Sequence, residues 1–354
     1  MTVKMSQRSK QPKYMVRVSC MTFNHVNYIE DAMNGFSIQD TTFPFVCTII
    51  DDASTDGEQE VIKKYLQAHF DLDDKSTVRN EENDDYVLTF AQHKTNKNCY
   101  FAVLYLKYNH YSIKKPRIPY IAEWHDVKYI ALCEGDDYWT YPQKLQKQVD
   151  YMEEHDDSVM CTHAAYWSIE GEMKKGGCKY PEEQDLTTDE VIRNGGLYLA
   201  TCSLVFRREL YDDKPEWRKR SDVGDYPLQI LGSLRGALHF FPEIMCVYRY
   251  QVEGSWTFNN KKTFDLAHIR TEIEWLELFD KETDSIYSQA VNDHLFPFYA
   301  SLFRQREVSL KDYLHLAKLS HYLFTTKMFK DILYRYFSPG FWILKNGRKM
   351  LTKQ

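Results

Sequence analysis

The sequence predicts an α/β fold: a mixed, mainly parallel sheet with helices on both faces, followed by a helical C-terminal extension. Three observations carry this. Apolar runs such as Phe45–Ile50 (FVCTII) and Tyr129–Cys133 (YIALC) are continuous, as in strands buried on both faces. Helix-period stripes separate these runs, the arrangement of βαβ units. From about Trp256 the strand signals stop and only helical periodicity remains.

The elements follow in order. Residues 1–13 are polar and basic with no apolar stretch behind them, so they read as a flexible tail and not as a secretory leader. Met15–Met21 (MVRVSCM) alternates, with Val16, Val18 and Cys20 on one side, as a strand does. Asn24 or Asn27 can cap a helix whose Ile29, Met33 and Phe36 share a face. The strand at Phe45–Ile50 runs into an Asp-, Ser- and Gly-rich turn, and a helix follows from Glu58 to about Phe70. Residues 71–85 are acidic and read as an exposed loop. Asp71, Asp73 and Glu82 stand there at calcium-loop spacing, but Ser76 occupies the position that needs Gly. After the strand at Tyr129–Cys133, Thr140 and Pro142 look like the start of a helix carrying Leu145, Val149 and Met152. Later strands are expected at Val159–His163, Thr201–Phe206 and Ile244–Arg249. Two helical stripes follow, one through Ile269, Ile273 and Leu276 and one through Tyr313, Leu316, Ala317 and Tyr322. The expected organisation is a tail (1–13), an α/β domain (14–255, with halves 14–155 and 156–255) and the extension (256–354).

Composition narrows the function. The 354 residues are 43% hydrophobic and 27% charged, which supports a sizeable core. A net charge of −6 argues against a nucleic-acid partner. No apolar run is long enough for a transmembrane helix. Eight cysteines without CxxC spacing read as buried free thiols in a reducing, cytoplasmic setting. Between Lys327 and Lys353, seven Lys/Arg against one Asp give a net of +6, interleaved with aromatic residues. Such a tail either lies on the inner face of an anionic membrane or packs on its own domain with its cations snorkelling outward.

Three segments fall just past predicted strand ends, where open α/β sheets hold their ligands. They are Thr22-Phe23-Asn24, Asp51-Asp52-Ala53-Ser54-Thr55-Asp56-Gly57 and Glu134-Gly135-Asp136-Asp137-Tyr138-Trp139. Asp51 and Asp52 alone could be turn formers, and Asp136 and Asp137 alone could cap a helix. Together, carboxylates clustered at neighbouring strand ends repel unless a cation or donor-rich ligand compensates. Magnesium and manganese favour one or two carboxylates plus phosphate oxygens and water. Neither a P-loop nor a GxGxxG cradle is present.

These residues carry a resemblance. VSCMTFNHVNYIEDAMNGFSIQD, FVCTIIDDASTDG and YIALCEGDDYWTYPQKLQKQVDYM resemble the inverting glycosyltransferases of family 2, which have the GT-A fold. The match is good over roughly residues 14–155. TCSLVFRREL, VGDYPLQILGSLRG and IMCVYRYQVEGSW resemble the acceptor half of bacterial members that build surface polysaccharides. The resemblance implies that Thr22 and Asn24 line the nucleotide pocket. It implies that Asp51 and Asp52 bind base and ribose, usually of a UDP-sugar. Glu134-Gly135-Asp136 stands at the family's D-x-D, with Asp136 on a Mn2+ or Mg2+ ion and Asp137 an alternative ligand. Lys97-Asn98 matches a position near the nucleotide, and Asp225 matches the general base. Asp225 also precedes Pro227 as a helix N-cap would. The sequence departs from the family in using Glu at the first D-x-D position, in a long crossing from Asn98 to Tyr129, and in placing Gln251 where a His is common.

The implied reaction is sugar transfer to a glycan or lipid-linked acceptor. A nucleotidyltransferase would use similar carboxylates, but with a Gly-rich basic loop after the first strand, where Thr22-Phe23-Asn24-His25 stands instead. A non-catalytic polysaccharide-assembly protein is the remaining alternative. Tyr138, Trp139 and Trp256 are candidates for stacking on sugar.

Overall fold

The computed structural model describes residues 12–252, 258 and 266–336. The described chain forms two compact units: Met1–Thr188 with Gly196–Lys214 and Asp225–Lys262, and Asp189–Gly195 with Pro215–Gly224 and Thr263–Gln354.

In the first unit, four parallel strands make the centre of the sheet. They are β1 (Val16–Thr22), β2 (Phe45–Asp51), β5 (Cys99–Leu106) and β6 (Tyr129–Leu132), in the order β6-β1-β2-β5. Every residue of β2 is buried, as its unbroken apolar run requires. Antiparallel pairs flank this centre. On one side the hairpin of β3 (Arg79–Glu82) and β4 (Tyr86–Gln92) joins β5. On the other side lie β7 (Tyr138–Trp139), β8 (Ser158–Ile169), β9 (Glu172–Gly176), β10 (Gln184–Asp185), β11 (Val205–Arg207) and β12 (Ala237–Tyr250). There β11 pairs antiparallel with β6 and β8, whereas β8 and β12 run parallel.

The helices of this unit include α1 (Ile29–Ser37), α2 (Glu58–His69) and α3 (Lys144–Glu154). Helix α1 buries Ile29, Ala32, Met33 and Phe36. Each large side chain there contributes roughly 1.5–3 kcal/mol. Phe36 meets Trp139 edge-on, with ring centroids 5.0 Å apart. A Cβ on Gly35 would come within 2.7 Å of the Trp139 backbone nitrogen, so a glycine is needed where α1 crosses β7. All eight cysteines are free and buried.

Several expectations are corrected. Arg79–Glu82 is a strand, not part of an exposed loop. It is an edge strand of polar residues held by backbone pairing to β4, so it carries no hydrophobic alternation to betray it. Thr201–Ser203 is a 3₁₀ turn, and the strand begins only at Val205. Neither Asn24 nor Asn27 caps α1, which starts at Ile29 without a side-chain cap. Thr140 and Pro142 likewise precede a helix that begins at Lys144.

The second unit contains the helices Leu266–Glu282, Ser288–Arg304 and Leu310–Leu319, and a last helical segment, 326–336. Phe296, Phe303, Tyr313, Ala317 and Met328 form an apolar core within it. Among the described residues no helix is long and apolar enough to cross a membrane. Trp256 and the tail beyond residue 336 lie outside the described residues.

Candidate active site

The register of the parallel strands sets where the motifs meet. Thr22 at the end of β1 pairs with Asp51 at the end of β2, and Ser19 of β1 pairs with Leu132 of β6. The acidic segment after β6 therefore folds over the end of β1. Gly135 donates its N–H to the Met21 carbonyl at 3.0 Å. A Cβ there would meet Thr22 Oγ1 at 2.1 Å and Thr22 Cβ at 2.6 Å. Only a glycine permits this approach.

Thr22 is buried beneath that crossing. Its hydroxyl donates to Glu58, which also accepts from the His25 N–H (2.8 Å) and Ser54 Oγ (2.8 Å). Glu58, the first residue of α2, thus ties the ends of β1 and β2 together. Burial pushes its pKa up, against these hydrogen bonds. Asn24 has a left-handed φ of 58° and links the same two loops. Its N–H donates to Ser54 Oγ at 2.9 Å, and its Oδ1 accepts from the Thr55 N–H at 2.9 Å.

The two neighbouring aspartates diverge. Asp51 is fully buried and points inward, accepting from Gln59 Nε2 (2.5 Å) and the Ser54 N–H (3.2 Å). It holds the turn after β2, its Oδ2 has no hydrogen-bond partner among the described residues, and burial raises its pKa. Asp52 takes the His110 N–H on Oδ1 (2.7 Å), and the Tyr111 N–H (3.0 Å) and Arg117 Nη1 (3.0 Å) on Oδ2. A carboxylate offers about four lone-pair sites, and these three bonds take three of them. Asn98 is corrected outright. It precedes β5 at the end opposite the motifs, and its side chain donates to the Thr41 carbonyl at 2.5 Å.

The acidic segment also divides its labour. Asp137 is 1% exposed, accepts the Arg249 N–H at 2.7 Å on Oδ1, and leaves Oδ2 with no hydrogen-bond partner among the described residues. Burial, with the nearby Cys202 and Asp136, pushes its pKa well up. Asp136 is 7% exposed, and burial raises its pKa against the attraction of His25 and Arg249. His25 Nε2 stands 3.9 Å from Asp136 Oδ2. Glu134 is exposed, walled by protein yet open to water. The low-dielectric walls, then Asp136 and Asp225, push its pKa up, against the pull of Arg117.

Asp225 opens the helix Asp225–Arg235. Its Oδ2 accepts from Thr201 Oγ1 at 2.7 Å, and its Oδ1 from the Tyr226 N–H at 2.9 Å. The hydroxyl of Tyr248, on β12, registers the whole group. After burial, its raised pKa is caused by Asp137, Glu134, Asp225 and Asp136. These four carboxylates therefore share one neighbourhood, and Arg117 joins it to Asp52.

Sequence reading missed Glu58, His25, Thr201, Tyr248, Arg117 and Arg249. Arg249 donates from Nη1 to the Asp136 carbonyl at 2.8 Å, pairs with Asp31, and lies over Tyr138 with its Cζ 4.4 Å from the ring centroid. Tyr138 is thus a platform for arginine. Trp139 is core, donating Nε1 to the Cys202 carbonyl at 2.8 Å. Glu58 had a signal, since it follows the Asp51–Gly57 motif directly as the first helical residue.

No protein-family model matches the chain. Uncharacterized proteins of Mycobacterium tuberculosis and Mycobacterium bovis are 29% identical over 248 residues, 67% of this chain. The chain spans 59% of the length of these curated relatives. The putative teichuronic acid biosynthesis glycosyltransferase TuaG of Bacillus subtilis is 23% identical over 251 residues, covering 70% of this chain and 83% of TuaG. Residues 1–349 of S. aureus TarS, solved in complex with UDP-GlcNAc, match with a TM-score of 0.57 at 15% identity. That match covers 90% of this chain and 89% of the TarS chain. The fold is therefore the GT-A-like fold that the motifs predicted.

Proposed function

We propose that the chain is an inverting, family 2 type glycosyltransferase of polysaccharide biosynthesis. It moves a sugar from a nucleotide-diphosphate donor, a UDP-sugar in the first instance, to a hydroxyl of a glycan or lipid-linked acceptor. The observation that supports this most is that Glu134, Asp136 and Asp225 lie near enough to repel one another's charge, with Asp225 held by Thr201 and Asp52 by Arg117. The likeness in fold to TarS, crystallised with UDP-GlcNAc, and the similarity to TuaG point the same way.

The residues present fit a divalent ion of the hard, oxygen-binding kind. Asp136 offers a carboxylate at the rim of the crossing, beside a Glu134 that faces water. Among the described residues no group of three or more His, Cys, Asp or Glu side chains is placed to hold a metal ion by itself. A Mn2+ or Mg2+ ion here would draw on one or two carboxylates, diphosphate oxygens and water. Such an ion would neutralise the negative charge that gathers on a departing diphosphate. Asp136 would hold it, and Asp137, walled off and bound to the Arg249 N–H, would orient the segment.

This chain's own groups do the rest. Asp52 keeps one acceptor site for the nucleoside, and Arg117 lies between Asp52 and Glu134. Asp225 has used two of its acceptor sites on Thr201 and Tyr226, which leaves others for a substrate hydroxyl. As the acceptor oxygen attacks the anomeric carbon, Asp225 takes its proton. The bond from that carbon to the diphosphate oxygen breaks on the opposite face, and the electron pair leaves with the nucleoside diphosphate.

The test has two stages. UDP with Mn2+ should raise the melting temperature more than either alone, and a donor panel with acceptor should then release UDP. Stabilisation without release would identify an assembly protein that kept the fold and lost the chemistry. Absence of any stabilisation by a nucleoside diphosphate would remove the donor assignment.

A further inference from the structure

The last described helix, 326–336, is fixed by one face and bare on the other. Met328 is buried in the core of the second unit, with Ile332 packed against that core. Asp331 is buried and accepts from Arg304 Nη1 (2.6 Å) and the Tyr313 hydroxyl (2.9 Å). Arg335 donates to the Phe303 carbonyl (3.1 Å) and the Val308 carbonyl (2.5 Å). Met328, Asp331, Ile332 and Arg335 follow helical spacing, so this anchored stripe sets the rotation of the helix.

The opposite side follows from the same 3.6-residue period. It presents Phe329 (52% exposed), Leu333 (43%), Tyr334 (56%) and Tyr336 (51%), with Phe324 just ahead at 77%. Beside them stand the exposed Lys330 and, at the flank, Lys327, whose exposed side chain carries its ammonium over the Tyr322 and Phe296 rings, 5.1 and 5.6 Å from their centroids. Asp331, the one acidic residue of the helix, is turned away and neutralised by Arg304. The face is therefore aromatic and cationic with no carboxylate. Aromatic rings favour the headgroup level of a bilayer, and lysines beside them complement anionic lipid.

We propose that this face of helix 326–336 docks on an anionic lipid surface. The helix lies flat, its aromatic side chains at the level of the headgroups and Lys327 and Lys330 against lipid phosphates. Charge complementarity points to this occupant: the face carries exposed lysines among its aromatic rings and no carboxylate. The inference stands apart from the sugar-transfer reading, since it uses none of that site's residues.

The full chain should sediment with vesicles of phosphatidylcholine and phosphatidylglycerol, and far less with phosphatidylcholine alone. Added salt should release it. The double variant Lys327→Gln/Lys330→Gln should bind about 30-fold more weakly, because each lysine near an anionic surface contributes about 1 kcal/mol. Phe329→Ser/Leu333→Ser should also lose binding, by more than any change in melting temperature explains, since about half of each side chain is exposed. Equal sedimentation of wild type and both variants would overturn the proposal. So would a concentration-dependent dimer, abolished by Phe329→Ser, in a chain that ignores the vesicles.

Discussion

Thr201 donates its hydroxyl to Asp225 at 2.7 Å, and the turn that carries Thr201 is pinned by Trp139, whose indole N–H meets the Cys202 carbonyl at 2.8 Å. The proposed base is thus tied, through three residues, to the strand that follows the acidic segment. A hydrogen bond to a charged group is worth about 1.5–3 kcal/mol. Thr201→Val should therefore lower kcat by about 10- to 100-fold, leave UDP affinity unchanged, and be rescued by Thr201→Ser. Asp225→Asn should cut kcat by roughly 10²–10⁴-fold with donor binding kept. If Asp225→Asn only lowers the melting temperature and spares turnover, the residue is a helix cap and the transfer reading fails with it.

Asp136 and Asp137 should separate experimentally. Asp136→Ala should abolish the metal-dependent part of UDP stabilisation while the apo melting temperature holds. Retained metal dependence would take the ion away from Asp136.

Asp137→Asn should act on stability through protons. The carboxyl is buried and its pKa is raised, so the folded state binds a proton more tightly than the unfolded state does. Its unfavourable contribution then grows as pH rises above the unfolded value, about 4, toward the folded pKa. The variant should be more stable than wild type at neutral pH, and the gap should close in acid. Melting curves from pH 4 to 8 decide this, and a gap that widens in acid would contradict it.

Gly135→Ala forces a methyl group to within 2.1 Å of Thr22 Oγ1 and 2.6 Å of Thr22 Cβ. Overpacking of this kind costs about 1–3 kcal/mol. Because Thr22 also anchors Glu58, the strain should spread to the loop after β2 and weaken UDP binding together with stability. Calorimetry and UDP titration on one preparation would show whether the two losses travel together.

The legible parts of the sequence were those where one physical requirement dominates. The unbroken run of β2 can only be a doubly buried strand, and carboxylates at adjacent strand ends need a shared counter-charge. Asp51 and Asp52 looked equivalent because sequence does not reveal which way a side chain points at the end of a strand. Their partners separate them: Asp51, the last residue of β2, accepts from Gln59 and the Ser54 N–H, and Asp52, just past the strand, accepts from Arg117. Asn98 was misplaced because only the resemblance put it near the nucleotide, whereas it precedes β5 at the end of the sheet away from the motifs. Strand β3 left no pattern because polar edge residues satisfy its pairing through the backbone alone. Thr201, Tyr248 and Arg249 act through contacts between distant segments, which spacing along the chain does not encode.

Lys144 offers a pH test of the core beneath the site. Its ammonium group is fully buried, hydrogen-bonded to Gln148 Oε1 at 2.8 Å, and 4.3 Å from the ring centroid of Trp139. Burial lowers its pKa to about 8 from an ordinary 10.5. The unfolded chain therefore binds this proton more tightly than the folded one, so stability must rise with pH between about 8 and 10.5. The difference corresponds to about 3 kcal/mol across that window. Lys144→Met keeps length and apolar contact with Trp139 but removes the proton, so the variant should lack the rise. Wild type and variant should diverge steadily from pH 8 upward in denaturant midpoints, with wild type gaining. Parallel profiles would mean that the ammonium group is charged in the folded state throughout and that water reaches it.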